Sequence, residues 1–318
     1  MKNALITGIN GSGASYLAEY LLGVPELINV QGLTRWHTDR LSNLTSVQDK
    51  LTLFECDLTD LSSVIRTLEK SKPDYIFHMA SHANVKLCFD NPIAILNNNI
   101  NGTLNLLEAI RILKIKPIVH FCGTSEVYGQ VRKEDTPIKE TYPVDPINVY
   151  AISKLTQEKL CKSYWLSYGI PIIVTRAFTY INPRRPDIFS SAFARQIVEI
   201  EKGKRQKIVH GNLDSTRTII DVRDNMEAYW VSVNKCDYGE VYNVGGYNNM
   251  TVGEFLTKLV KHSSVQIVTE VDPTLLRPVD VTMQIPDVTK FTTKTGWKPK
   301  YTLDDSIEFL LDYYRKIV

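Results

Sequence analysis

Residues 4–22, "ALITGINGSGASYLAEYLL", pass without a break from a short apolar run through three glycines into a helical pattern. A strand that must turn into a helix on one glycine-rich loop leaves few folds open, because the helix has to pack back against a sheet that contains the strand. Gly8 permits the tight turn and Gly11 lets the backbone approach a pyrophosphate. The helix N-terminus, reached through Asn10, Ser12 and Gly13, supplies N–H groups and partial positive charge. Ala14 stands at the third glycine position of the motif and is small enough for close helix packing. Glycines also mark ordinary turns; it is the strand–loop–helix setting that points to a dinucleotide here.

The same alternation continues. "INVQGLTR", "KLTLFECDL", "PDYIFHMAS", "PIVHFCGTS" and "GIPIIVTRAF" read as strands, separated by helical segments such as "SSVIRTLEKSK" and "NGTLNLLEAIRILK". Strands alternating with helices imply βαβ units, so the fold class expected is α/β, a Rossmann-type doubly wound parallel sheet over residues 1–178. After Phe178 the rhythm changes to Pro-, Arg- and Asp-bearing loops around one amphipathic helix. Residues 219–246, ending in the strand-like "EVYNVGG", return to the first domain. The rest of 179–318 forms a smaller interleaved C-terminal domain, expected to be mostly helical from Thr251 onward and to hold the substrate.

Of 318 residues, 43% are hydrophobic and 23% charged, which is ordinary for a globular protein. A net charge of +2 is too mild for nucleic acid or an acidic membrane surface as partner, and "EKGKRQK" (201–207) reads as a solvated helix end and loop. No basic, apolar, small-residue leader opens the chain, and no apolar run approaches the ~20 residues of a membrane span. The five cysteines are scattered without C-x-x-C spacing, so neither a disulfide framework nor a metal site is expected. A cytoplasmic protein is the expectation.

The second strand ends in Thr34 and Arg35, where an NAD-binding fold carries an acid for the ribose 2′-hydroxyl. A guanidinium there suits a 2′-phosphate, so NADP is expected, with NAD left possible. Asp57 and Leu58, after the third strand, are placed for the adenine edge, and Ala80 in "MAS" for the floor of the cofactor site.

Tyr150 and Lys154 in "VYAISK" lie four apart, on one helix face. Beside a nicotinamide, a lysine there would bring the phenol down toward neutrality and let it accept a hydroxyl proton. With the glycine loop and a threonine at a strand end in "TSEVYG" (124–129), the pair becomes specific. On these motifs the sequence resembles the extended short-chain dehydrogenase/reductase family. "TGINGSGASYLAEYLL", "PRR" (183–185), "GNLDSTRTIIDVRDNMEAYW" and "LLRPVDV" are similar to its nucleotide-sugar branch, GDP-mannose 4,6-dehydratases and GDP-4-keto-6-deoxy-mannose reductases. The ending "TGWKPKYTLDDSIEFLLDYYRK" lies nearer the reductases.

The resemblance implies that Thr124 holds the sugar 4-oxygen beside Tyr150, that Glu126 removes the C5 proton and that Ser125 assists at the 6-hydroxyl. It implies substrate contacts from Thr179 and Asn182 and a diphosphate grip by Arg185, Arg217 and Arg277, with Arg223 either beside them or paired with Asp221 or Asp224. Thr179, where relatives commonly place Asn, and His82 and Asn84, where dehydratases show Gln and His, depart from the pattern. The activity implied is a 4,6-dehydratase acting on a GDP-sugar; a C4 oxidoreductase of the same family is the alternative. A non-catalytic nucleotide-binding regulator is disfavoured by the intact Thr124, Tyr150 and Lys154. A homodimer or homotetramer is expected, with residues 101–114 and 149–165 available to pack across a two-fold axis.

Overall fold

The structure is a computed structural model and describes residues 1–35, 41–263, 265–276 and 279–318. Strand β1 (Lys2–Thr7) leads through the glycine turn into α1 (Ser12–Leu22), and β2 (Ile28–Thr34), β3 (Thr52–Glu55), α2 (Leu61–Ser71) and β4 (Tyr75–His78) follow. Two short helices, α3 (Leu87–Asp90) and α4 (Pro92–Leu96), run through a wider turn at Asn97–Asn101 into α5 (Gly102–Ile112). Then come β5 (Ile118–Thr124), α6 (Val149–Tyr168) and β6 (Ile172–Ala177). Beyond these lie β7 (Tyr180–Ile181), α7 (Phe189–Glu201), β8 (Lys207–His210), β9 (Thr216–Asp221), α8 (Val222–Lys235), β10 (Val241–Val244), β11 (Asn248–Thr251), α9 (Val252–Lys261), β12 (Val268–Val271), β13 (Met283–Gln284), α10 (Thr289–Thr295) and α11 (Leu303–Ile317).

Seven strands form one sheet in the order β3-β2-β1-β4-β5-β6-β10, every neighbour parallel. A parallel sheet is covered on both faces, and Ala4 to Thr7 of β1 are buried without alternation for that reason. One face packs Tyr16, Leu17, Met226, Tyr229 and Trp230 from α1 and α8. The other packs Val64, Leu68, Leu106, Ile110 and Cys161 from α2, α5 and α6. The strand order reverses at β1, which pairs with β2 on one side and β4 on the other. The loops after β1 and β4 therefore diverge and open a crevice at the strands' carboxyl ends.

The C-terminal part is less helical than expected. Strand β9 pairs with β7, β11 and β13, while β8 pairs with β12, and Phe193, Ile219, Phe255, Leu259, Ile307 and Leu310 pack there in a core of their own. These strands are two to six residues long, too short for a period-two pattern to stand out. Phe291 of α10 and Trp297 join the core of the large sheet, so the chain returns to it once more beyond residue 246. Among the described residues, no helix is long and apolar enough to cross a membrane.

Candidate active site

Gly8 adopts φ +65°, and a Cβ on it would stand 3.0 Å from the Ala80 Cα, so the turn after β1 admits only glycine. Across the crevice, the Thr7 hydroxyl oxygen accepts from Met79 N at 3.1 Å and Ala80 N at 3.0 Å, and pairs with His78 Nδ1 at 2.9 Å. These bonds fasten the ends of β1 and β4. Gly11 caps α1 with no side-chain hydrogen bond to the helix start among the described residues, and Gly8, Gly11, Ser12 and Gly13 line a cleft of about 810 Å³. A bare helix N-terminus behind a glycine turn fits the phosphates of a dinucleotide.

At the other end of the cleft, β5 stops at Thr124, whose Oγ1 accepts from Glu126 N at 3.3 Å and starts one tight turn, Ser125–Tyr128. Gly129 closes it at φ +64°, where a Cβ would fall 1.9 Å from the Asp145 carbonyl oxygen. Thr124, Ser125 and Glu126 thereby line the cleft. Asn148 Oδ1 accepts from Ala151 N at 2.8 Å and starts α6, which brings Tyr150 and Lys154 to the same wall. The Glu126 carboxylate accepts from Asn148 Nδ2 at one oxygen and from Gln284 Nε2 at the other, both at 3.2 Å.

Burial pushes the Tyr150 phenol upward, against the charge of Arg185 and a hydrogen bond with Thr124. Among the charged neighbours of Tyr150, Arg185 opposes burial most. The Lys154 ammonium lies 4.4 Å from the centre of the Phe121 ring, and burial lowers its own affinity for the proton. Desolvation governs both groups because each is almost wholly enclosed by protein.

Thr179, Arg185 and Arg217 line the cleft as well. Arg185 donates to Ala83 O at 2.7 Å and faces Asp187 at 3.3 Å, while Arg217 lies 3.6 Å from Asp280. Asn182 does not line it. It is fully buried, accepting from Arg184 N at its side-chain oxygen and from the Ser191 hydroxyl at its carbonyl, so it shapes the "PRR" turn instead of touching substrate. Arg223 is paired with Asp221 at 2.9 and 2.8 Å and stacked over Tyr301, which resolves its alternative roles in favour of structure. Arg277 lies outside the described residues. Asn84 caps the turn into α3 by accepting from Leu87 N at 3.1 Å.

The remaining cofactor candidates lie around the carboxyl ends of β1, β2, β3 and β4 and are not among the residues lining the cleft. Arg35 is exposed directly after β2, and its charge, second to burial, lowers the proton affinity of His82. Asp57 Oδ1 accepts from Thr59 N at 2.9 Å, Leu58 O accepts from Asn105 Nδ2 at 2.8 Å, and Asn10 O accepts from Asn43 Nδ2 at 2.9 Å. Sequence reasoning passes over Asn148 and Gln284. The first carries a recognisable cap signal before "VYAISK"; the second carries none.

The family model described as GDP-mannose 4,6 dehydratase matches residues 5–309. The chain belongs to the GDP-mannose 4,6-dehydratase family. Members of curated identity include GDP-mannose 4,6-dehydratase of Yersinia enterocolitica, 30% identical over 96% of this chain and 91% of that protein. GDP-6-deoxy-D-mannose reductase of Pseudomonas aeruginosa is 31% identical over 75% of this chain and 79% of its own length. The solved structure of RMD from Pseudomonas aeruginosa, complexed with NADPH, superposes with a TM-score of 0.87 at 26% identity and covers 100% of both chains.

Proposed function

We propose that the protein is an NADP-dependent nucleotide-sugar 4,6-dehydratase acting on GDP-mannose or a related GDP-sugar. The observation that carries this reading is the presence of Glu126, a carboxylate held at both oxygens, in one cleft with Thr124, Tyr150 and Lys154 and with the glycine turn. A C4 oxidoreductase has no need of a base at C5; a 4,6-dehydratase does.

A bound nicotinamide supplies what the side chains lack, taking a hydride from C4 and returning it at C6. In this reading, Thr124 holds the 4-oxygen and Tyr150 takes its proton, leaving a 4-ketone that acidifies C5–H. Glu126 takes the C5 proton. The C6 hydroxyl leaves as water with a proton delivered through Ser125, and a proton returns to C5 as C6 is reduced. Thr179, Arg185 and Arg217 contact the GDP-sugar, and Arg35, Asp57, Leu58 and Ala80 the adenosine end of the cofactor. We further propose a larger cofactor-binding unit around the seven-stranded sheet, a smaller substrate unit around β9, a cytoplasmic location and a homodimer or homotetramer. The partly exposed Ile152 on α6 and Ile112 on α5 support the contact between copies.

A second reading, a GDP-hexose or GDP-heptose C4 oxidoreductase, is favoured by the similarity to GDP-6-deoxy-D-mannose reductase of Pseudomonas aeruginosa. Mass spectrometry after incubation with GDP-mannose and other nucleotide sugars tests both. A product lighter by one water, formed without consumption of added cofactor, supports the dehydratase. A product differing by two hydrogens, with stoichiometric change in NADP(H), supports the oxidoreductase and overturns the first reading.

A further inference from the structure

We propose that Gln284 is a positioning residue for Glu126, orienting its carboxylate for the C5 proton; the proposal rests on the dehydratase reading of the same site. Gln284 is almost wholly buried, lines the cleft, and gives its side-chain N–H to Glu126 Oε1 at 3.2 Å. Asn148 gives its own to Oε2 at 3.2 Å. With a donor fixed on each oxygen, the carboxylate cannot turn about its terminal bond without losing both. A carboxylate has about four lone-pair sites, so two amide bonds leave acceptor capacity for a substrate proton. The chemical type of the clamp matters. A lysine or arginine in this place would orient the carboxylate but oppose its protonation, which a base must undergo; neutral amides orient it without adding a charge.

The two arms come from different parts of the fold. Asn148 is the cap of α6, the helix of Tyr150 and Lys154. Gln284 lies on β13 and stands opposite Arg217 in the β9–β13 pairing. The strand pair that carries Arg217 thus also sets one side of the carboxylate, and a GDP-sugar seated at Arg217 meets a base whose direction is set by that residue's ladder neighbour. Glutamine neither gives up nor takes a proton in this chemistry, so Gln284 acts through Glu126 alone.

The test is Gln284→Leu, with Gln284→Met as an unbranched second variant that removes only the amide, each loaded with NADP and given GDP-mannose. Loss of one charge-assisted bond predicts that solvent deuterium entry at C5 and water elimination fall ~10–100-fold. KM and the reduction of nicotinamide in the first turnover stay unchanged, because hydride leaves C4 before Glu126 acts. Placed in a Glu126→Gln background, Gln284→Leu adds no further loss. Wild-type rates in both variants overturn the proposal, as does a parallel loss of first-turnover reduction and deuterium entry, which marks Gln284 as support for the fold. Absence of C5 exchange in the unmodified protein with every GDP-hexose is a separate result: it removes Glu126 as a base and the positioning role with it.

Discussion

Glu158 on α6 and Arg176 on β6 meet in a two-pronged ion pair, Nε to Oε2 at 2.9 Å and Nη2 to Oε1 at 2.7 Å, with both side chains almost wholly buried. The same guanidinium donates to the Tyr128 hydroxyl at 2.9 Å and the Glu140 carbonyl at 3.2 Å. Glu158 lies one turn beyond Lys154, so the pair pins α6 to the sheet and to the end of the "TSEVYG" turn. Glu158→Ala leaves a buried guanidinium without its counter-charge. The expected loss of stability is about 3–5 kcal/mol, measured by urea unfolding; a loss below about 1 kcal/mol, the size of an exposed pair, would contradict it.

Glu126→Gln keeps the shape of the side chain and removes the base. Hydride still moves from C4, so the absorbance of reduced nicotinamide should rise to at most one equivalent per site and persist. Elimination of water should fall by ~10²–10⁴-fold, the usual size of a missing general base. Full elimination activity in this variant would remove Glu126 from the mechanism.

Arg35 stands exposed at the end of β2 with no acid beside it in sequence. Arg35→Ala should weaken NADP by ~10–100-fold, the size of one charge-assisted bond, and leave NAD nearly unaffected. Fluorescence titration with both cofactors checks this, and equal affinity of the unmodified protein for the two would overturn the assignment.

His78 and His120 are fully buried, and burial first and Lys154 second push both imidazoles down to about 3 from an ordinary 6.5. The unfolded chain therefore binds protons between those values that the folded chain refuses. This contribution to stability is complete above pH 6.5 and is lost as the pH falls toward 3, with a slope of up to about 1.4 kcal/mol per pH unit for each histidine. Urea midpoints across that window should show it, and His120→Gln should flatten the slope by about one proton. An unchanged slope would place the uptake elsewhere.

The features legible in the chain are those whose signals are local. β-branched runs between helical segments specify a parallel sheet covered on both faces, since the runs of its central strands are near-continuously apolar. The glycine turn is legible because Gly8 answers a backbone requirement at its own position, a positive φ against Ala80. "TSEVYG" and "VYAISK" carry their geometry in a tight turn and a helix face, so the chain alone shows that Thr124 and Glu126 share a turn and that Tyr150 and Lys154 share a helix face; the fold lines one cleft with all four.

The sequence by itself thus determined the order of elements, the glycine turn and the local geometry of the Thr124–Glu126 turn and of Tyr150 with Lys154, because turn chemistry and helical spacing act over a few residues. Tertiary structure alone decided the rest. Strands as short as β7 and β13 become strands only when β9 completes them, so the small sheet left no pattern to read. That pairing carries Gln284 to Glu126 across 158 positions of sequence. Asn182 looks like a ligand contact in the chain, but in the fold it is buried under a turn, and Arg223, whose two roles stay open in the chain, is paired with Asp221. A side chain's partner across the fold is set by which distant segments pack together, and no short-range propensity encodes that choice.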